Sequence, residues 1–189
     1  MPLYFAAPLE WYAKVIHLDE VQLINDVKFP KQTNRHKFNY QTVEGPMGFS
    51  IPLVKDSRVK DYRSVEISYQ SHWQNQLINA LKTSYGKSPF FEYYDYRFFA
   101  VLLEQHKFLW DLNFSLLETT LKCLRSHVKL SVYNADTYIP DLQLEPFVTP
   151  YYQVFADKTG FVSGMSILDL IFNEGSHAWN ILSRNQIDF

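Results

Sequence analysis

The residues best equipped for chemistry cluster between Asp19 and Phe38, in the stretch DEVQLINDVKFPKQTNRHKF. Val21 and Leu23 alternate with polar residues and lead to Asn25-Asp26. Lys28, Lys31, Asn34, Arg35, His36 and Lys37 follow at once. A strand that ends on a carboxylate and opens into a polar loop is a common way for α/β proteins to build a site, because the strand is rigid and the loop is free to carry chemistry. Asp26 can act as a base or bind hydroxyl groups. Lys31 and Arg35 can hold a phosphate or carboxylate, Arg35 with two-pronged geometry. Asn34 can bind hydroxyls and His36 can accept a proton. The same residues also fit a plain strand end with a solvated loop, in which Arg35 pairs with Asp26 as a structural ion pair.

Six further residues stand out. His72-Trp73 opens a helical pattern; a helix N-terminus favours the neutral imidazole, and an aromatic beside it offers a stacking face. The alternative is a surface histidine beside a core tryptophan. Asp111 reads as a first-turn acid of another helix. Asn113, one turn into that apolar helix, reads as an amide that bonds a neighbouring loop or reaches a ligand. Asp169 lies inside the apolar run Ile167-Leu168-Asp169-Leu170-Ile171-Phe172, so if buried it needs a partner; Arg35 or Lys31 is the expected one. Asn173 caps the same helix or reaches the cleft.

The elements that must position these residues follow from periodicity. Leu3–Ala7 reads as a short strand, 10–18 as a helix and 20–24 as a strand, which makes a β-α-β opening. Residues 38–54 read as a hairpin around Glu44-Gly45-Pro46-Met47-Gly48. Val65–Ser68 reads as a strand, 72–85 as a helix capped near Ser71, and 88–104 as an irregular aromatic helix. Leu112, Leu116, Leu117, Leu121 and Leu124 mark the clearest helix, 111–124. Strands are expected at 128–133 and 152–155, and helices at 166–172 and 177–183, with Gly175 as a C-terminal cap. These elements predict a single-domain α/β protein over 1–189: a mixed sheet opened by β-α-β, a hairpin, and several packed helices.

The chain has 189 residues, enough to bury a core without disulfides, and 47% are hydrophobic. Its formal net charge of -2 and pI near 6.3 argue against nucleic acid as a partner. The single cysteine, Cys123, fits a reducing compartment and an apolar helical setting. The six histidines have no zinc-type spacing, and P-loop, G-x-G-x-x-G and G-x-S-x-G motifs are missing, so no metal or nucleotide cofactor is expected. No signal peptide and no membrane span are legible, which makes a cytoplasmic protein the expectation. The abundance of Trp and Tyr leaves room for a homodimer.

Several separated segments together resemble the WbqC-like proteins, a bacterial family associated with O-antigen and other surface polysaccharides. Asp26-Val27-Lys28-Phe29-Pro30-Lys31 with Asn34-Arg35 is similar to the family's D-V-x-F-x-K…N-R segment. Ile51-Pro52-Leu53-Val54-Lys55, His72-Trp73, Tyr85–Phe91, Leu112-Asn113 and Ser166–Asn173 follow in the family's order. Ala7-Pro8-Leu9-Glu10-Trp11 keeps the Pro and Trp of the family's H/Q-P-x-Y-L-P-W, without its His or Gln and its Tyr. The family's S-G-x-x-G segment has no counterpart between Val132 and Pro150. The resemblance implies an enzyme of polysaccharide-precursor biosynthesis whose small-molecule substrate is an activated sugar, modified by acyl or aminoacyl transfer. His72, His36 and Asp26 would then be catalytic, and Lys31, Asn34, Arg35, Trp73, Asn113, Asp169 and Asn173 would bind substrate. The competing expectation is a non-catalytic assembly protein that presents Phe90, Tyr93, Tyr94 and Phe98 as an exposed patch.

Overall fold

The computed structural model of the protein describes all residues except 27, 28, 31, 32, 56–60, 136–141 and 185–189, and the side chain of Asp26 also lies outside the described set. Lys31 and the carboxylate of Asp26 are therefore not placed.

The chain runs α1 (Leu9–Val15), β1 (Glu20–Asp26), β2 (Lys37–Thr42), β3 (Gly45–Ser50), a 3-10 turn (Tyr62–Ser64), α2 (Trp73–Tyr85), α3 (Phe91–Leu103), α4 (Leu109–Cys123), β4 (Lys129–Ala135), α5 (Ala156–Thr159), α6 (Ile167–Glu174), a second 3-10 turn (Gly175–His177) and α7 (Ala178–Ser183). The fold is α/β. Its described strands form two sheets, with β1 parallel to β4 and β2 antiparallel to β3. In the first, Val21 faces Leu130 and Leu23 faces Val132; in the second, Phe38 faces Phe49 and Tyr40 faces Met47.

The hairpin and the helices follow their sequence logic. Gly45, with φ of 120°, sits at the turn where a side chain would strain the backbone. On α2, Trp73, Leu77, Ile78, Leu81 and Tyr85 make one buried stripe, and on α4 Leu109, Leu112, Leu116, Leu117 and Leu121 make another. Helix α6 is buried on all sides from Ile167 to Asn173. It contacts α1, α2, α3, α7 and β2, and is the axis of the core.

Four expectations change. Leu3–Ala7 forms no ladder with the described strands, so the opening is not β-α-β. Its backbone groups are taken by scattered partners: Phe5 N–H donates to the Arg35 carbonyl, the Leu3 carbonyl accepts from Tyr62, and the Ala7 carbonyl accepts from Ile167 N–H. Ala6, at φ 42°, ends any extension there. The parallel partner of β1 is instead β4, far along the chain. Residues 65–68 make only isolated bridges, Leu53 with Ile67 and Glu66 with Phe108. Residues 152–155 are not a strand, because their amides bond side chains of α6: Tyr152 N–H donates to Glu174 and Val154 N–H to Asn173. At the start of α2 the cap position is His72, and no side chain caps the helix.

Candidate functional site

The hairpin forms the floor of a cavity of about 190 Å³ with a mixed polar and apolar lining. Lys37, Phe38 and Asn39 come from β2, and Gly48, Phe49 and Ser50 from β3. The walls are Tyr4, Ala6 and Pro8 of the N-terminal segment, Asn34, and Gly164 with Ser166 at the entrance to α6. Asn39 ties floor to wall: its side-chain amide donates to the Gly164 carbonyl at 3.3 Å, and its carbonyl accepts from Ser166 N–H at 3.1 Å. Pro8 and Ser166 form a bridge on the opposite side. The positive φ of Ala6 is a strained conformation for a residue with a Cβ, held here by the bonds on either side of it. The described lining carries one cation, Lys37, and no Asp, Glu or His. Amides, hydroxyls and the Phe38 and Phe49 rings suit a small polar ligand with an apolar face.

Of the residues singled out from sequence, Asn34 lines this cavity. Arg35 is fully buried and outside the lining; its guanidinium stands 5.3 Å from the centre of the Tyr62 ring, and its backbone N–H donates to the Thr33 hydroxyl. His36 is buried, its ring 6.1 Å from that of Phe29. Asn113 is a tie within the core. Its side-chain amide donates to the Arg35 carbonyl at 2.8 Å and to the Tyr62 hydroxyl at 2.6 Å, so α4 fixes the backbone where β2 begins. His72 is exposed at the start of α2 and does not line the hairpin cavity. Trp73 is buried against Tyr69, so its ring has no face for a sugar. Asn173 accepts from Val154 N–H and donates to the Asp169 carbonyl, which pins residues 151–155 onto α6.

Asp169 corrects the expected ion pair. Its partners are neutral: Tyr85 donates to Oδ1 at 2.8 Å, while Tyr151 and Gln153 donate to Oδ2, Gln153 at 3.1 Å. Arg35 is not among them, and Lys31 lies outside the described residues. The network spreads outward, because the Tyr85 hydroxyl also accepts from Gln41 N–H on β2 at 2.9 Å, and Gln153 exchanges bonds with Val162 in both directions at 2.9 Å. Burial raises the Asp169 carboxyl above its usual range, against the lowering effect of its three hydrogen bonds. Tyr85 and Tyr151 are pushed well above the usual phenol value, first by burial and then by the Asp169 charge. The result is a buried clamp that joins β2, α2, α6 and the 151–162 loop.

The other end of the hairpin borders a larger cavity of about 470 Å³. Tyr40, Val43, Met47 and Phe155 line it, with Lys82 and Lys87 of the α2 end; His72 is absent from its lining too. Cys123 is partly buried, and burial pushes its thiol up to about 11, which fits a structural thiol. No group of three metal-ligating side chains occurs among the described residues, and no described helix is long and apolar enough to cross a membrane.

Sequence reasoning missed Lys37, Asn39, Ser50 and Ser166 as lining residues. Lys37 and Asn39 are exposed and alternate with buried Phe38 and Tyr40 on β2, a signal that was readable. Ser166 gave none, since a serine before a helix reads as a cap. No match was found among curated proteins or solved structures. The profile of the WbqC-like protein family matches residues 4–145, which takes in the floor, the N-terminal wall and Asn34 and stops short of Ser166. With most of its length covered by that match, this chain belongs to the WbqC-like protein family.

Proposed function

We propose that the protein binds an activated sugar in the hairpin cavity and modifies it by group transfer, such as acyl or aminoacyl addition to an amino sugar, during synthesis of a surface-polysaccharide precursor. The observation that carries this reading is the cavity lining: amides of Asn34 and Asn39, hydroxyls of Ser50 and Ser166, and the rings of Phe38 and Phe49. Amides and hydroxyls match the donors and acceptors of a sugar, and aromatic rings match its apolar face. Family membership supports the polysaccharide context. In this reading Asn34 binds sugar hydroxyls; His36, buried against Phe29 and outside the lining, and the exposed His72 have no part.

The test is a thermal-shift screen of nucleotide sugars, sugar phosphates and acyl donors against wild type and Asn39→Ala. A ligand that binds only the folded state raises Tm by mass action. A sugar-bearing ligand that stabilises wild type and not a folded Asn39→Ala supports the reading. No shift with any of them overturns it.

A second reading, an assembly protein, draws on α3. Tyr93 is 70% exposed and Tyr96 58%, one helical turn apart, with Leu103 further along. Its expected surface is revised, because Phe98 is fully buried and Phe90 and Tyr94 are half-buried. Phe98 packs edge-on to Phe172.

A further inference from the structure

Ser166 occupies the cap position of α6 with extended backbone, φ -75° and ψ 164°, yet its side chain caps nothing. A serine there ordinarily accepts a hydrogen bond from an amide of the first turn. Instead Oγ is buried without a hydrogen-bond partner, in a residue only 2% exposed. Such hydroxyls are rare, because losing water without gaining a partner is unfavourable. Ser166 lines the cavity, and a ligand oxygen that bonds Oγ must displace the atoms that now cover it. Its backbone is pinned there, its own N–H on the Asn39 carbonyl and the next N–H on the Ala7 carbonyl.

Two features give that partner a charge. Lys37 lines the same cavity, is exposed and has no ion-pair partner among the described residues, while no described Asp or Glu shares the lining. The positive end of the α6 dipole also lies at this wall. The Asp169 carboxylate on α6 is outside the lining, with both oxygens bonded within the clamp.

We propose that the cavity binds a phosphate oxygen group, with the Ser166 hydroxyl and the Asn39 amide donating to it and Lys37 supplying the opposite charge. This rests on the activated-sugar reading and adds to it which end of the ligand lies at α6. The phosphate can belong to a sugar 1-phosphate or to a nucleoside diphosphate sugar.

The experiment titrates inorganic phosphate, N-acetylglucosamine, its 1-phosphate and its uridine diphosphate conjugate into wild type, Ser166→Ala and Lys37→Gln. Phosphate-bearing probes bind wild type at least tenfold more tightly than the neutral sugar, and the preference falls at least tenfold in both variants. Binding weakens with added salt. Because Oγ caps nothing, Ser166→Ala melts at or above the wild-type temperature, so lost affinity cannot be lost folding. The tighter of the two conjugates identifies the source of the phosphate. Equal affinity for the neutral sugar and its phosphate overturns this inference and leaves the sugar site standing. Unchanged phosphate affinity in Ser166→Ala, with a lowered Tm, makes Ser166 an ordinary cap and also overturns it. Binding of none of the probes removes both readings.

Discussion

Tyr85→Phe deletes one oxygen from the buried Asp169 clamp, and its cost can be worked from its contacts. The hydroxyl accepts from Gln41 N–H at 2.9 Å and donates to Asp169 Oδ1 at 2.8 Å. Gln41 and Asp169 are fully buried, so water does not replace the missing partner. An orphaned buried amide costs about 1–3 kcal/mol, and a hydrogen bond lost from a buried carboxylate about 1.5–3 kcal/mol. Repacking recovers part of this, which leaves an expected loss of about 2–4 kcal/mol. For a chain of this size each kcal/mol lowers Tm by about 2–4 °C, so the drop is roughly 4–16 °C. Tyr151→Phe is the internal comparison. It removes a donor from Oδ2, which still has Gln153, and orphans no backbone amide; its cost should be about half. Urea unfolding of both variants checks the order. A loss below about 0.5 kcal/mol for Tyr85→Phe, or a larger loss for Tyr151→Phe, refutes the reasoning.

Other outcomes follow from the same geometry. Burial raises the Asp169 carboxyl in the folded state, so the folded chain holds that proton more tightly than the unfolded chain. The associated stability is present below the unfolded value near 3.8 and is lost as pH rises through the raised folded value; wild type therefore loses stability relative to Asp169→Asn from about pH 4 upward, as paired urea titrations would show. Gly175 has φ 54°, and a Cβ there would lie 2.4 Å from the Phe90 ring. Gly175→Ala should cost about 2–5 kcal/mol by backbone strain and overpacking together, read as a fall in Tm. Gly48 lines the cavity, and an added Cβ meets only Asn39 Oδ1, at an ordinary 3.5 Å. Gly48→Val should therefore fold with Tm within a few degrees of wild type, since valine suits a strand, yet weaken ligand binding at least tenfold by filling the cavity.

Legibility in the sequence tracked the range of the interaction. Helix α4 and the β2–β3 hairpin are local objects, written by leucine spacing and by Gly45-Pro46, and they form near where the sequence puts them. The need of Asp169 for partners was legible, because a carboxylate in an apolar run must be satisfied. Their identity was not: Tyr85 lies 84 residues away and Tyr151 18, and a tyrosine that will bond a carboxylate looks like any other. The opening segment misled for the opposite reason. Leu3–Ala7 is apolar enough for a strand, but its hydrogen bonds go to Arg35, Tyr62 and Ile167, none of them its sequence neighbours. The cavity draws on segments near residues 4–8, 34–39, 48–50 and 164–166. No one of these resembles a site alone, so the polar loop drew attention toward Arg35, which lies buried, and away from Lys37 two residues on.

The central claim is that the hairpin cavity, rather than the exposed start of α2, receives the sugar ligand. Isothermal titration of the best sugar-bearing ligand from the screen into wild type, Asn39→Ala and His72→Ala tests it most directly. The account predicts at least a tenfold loss of affinity in Asn39→Ala, about 1.4 kcal/mol, with His72→Ala unchanged. Wild-type affinity in Asn39→Ala together with a loss in His72→Ala would contradict it.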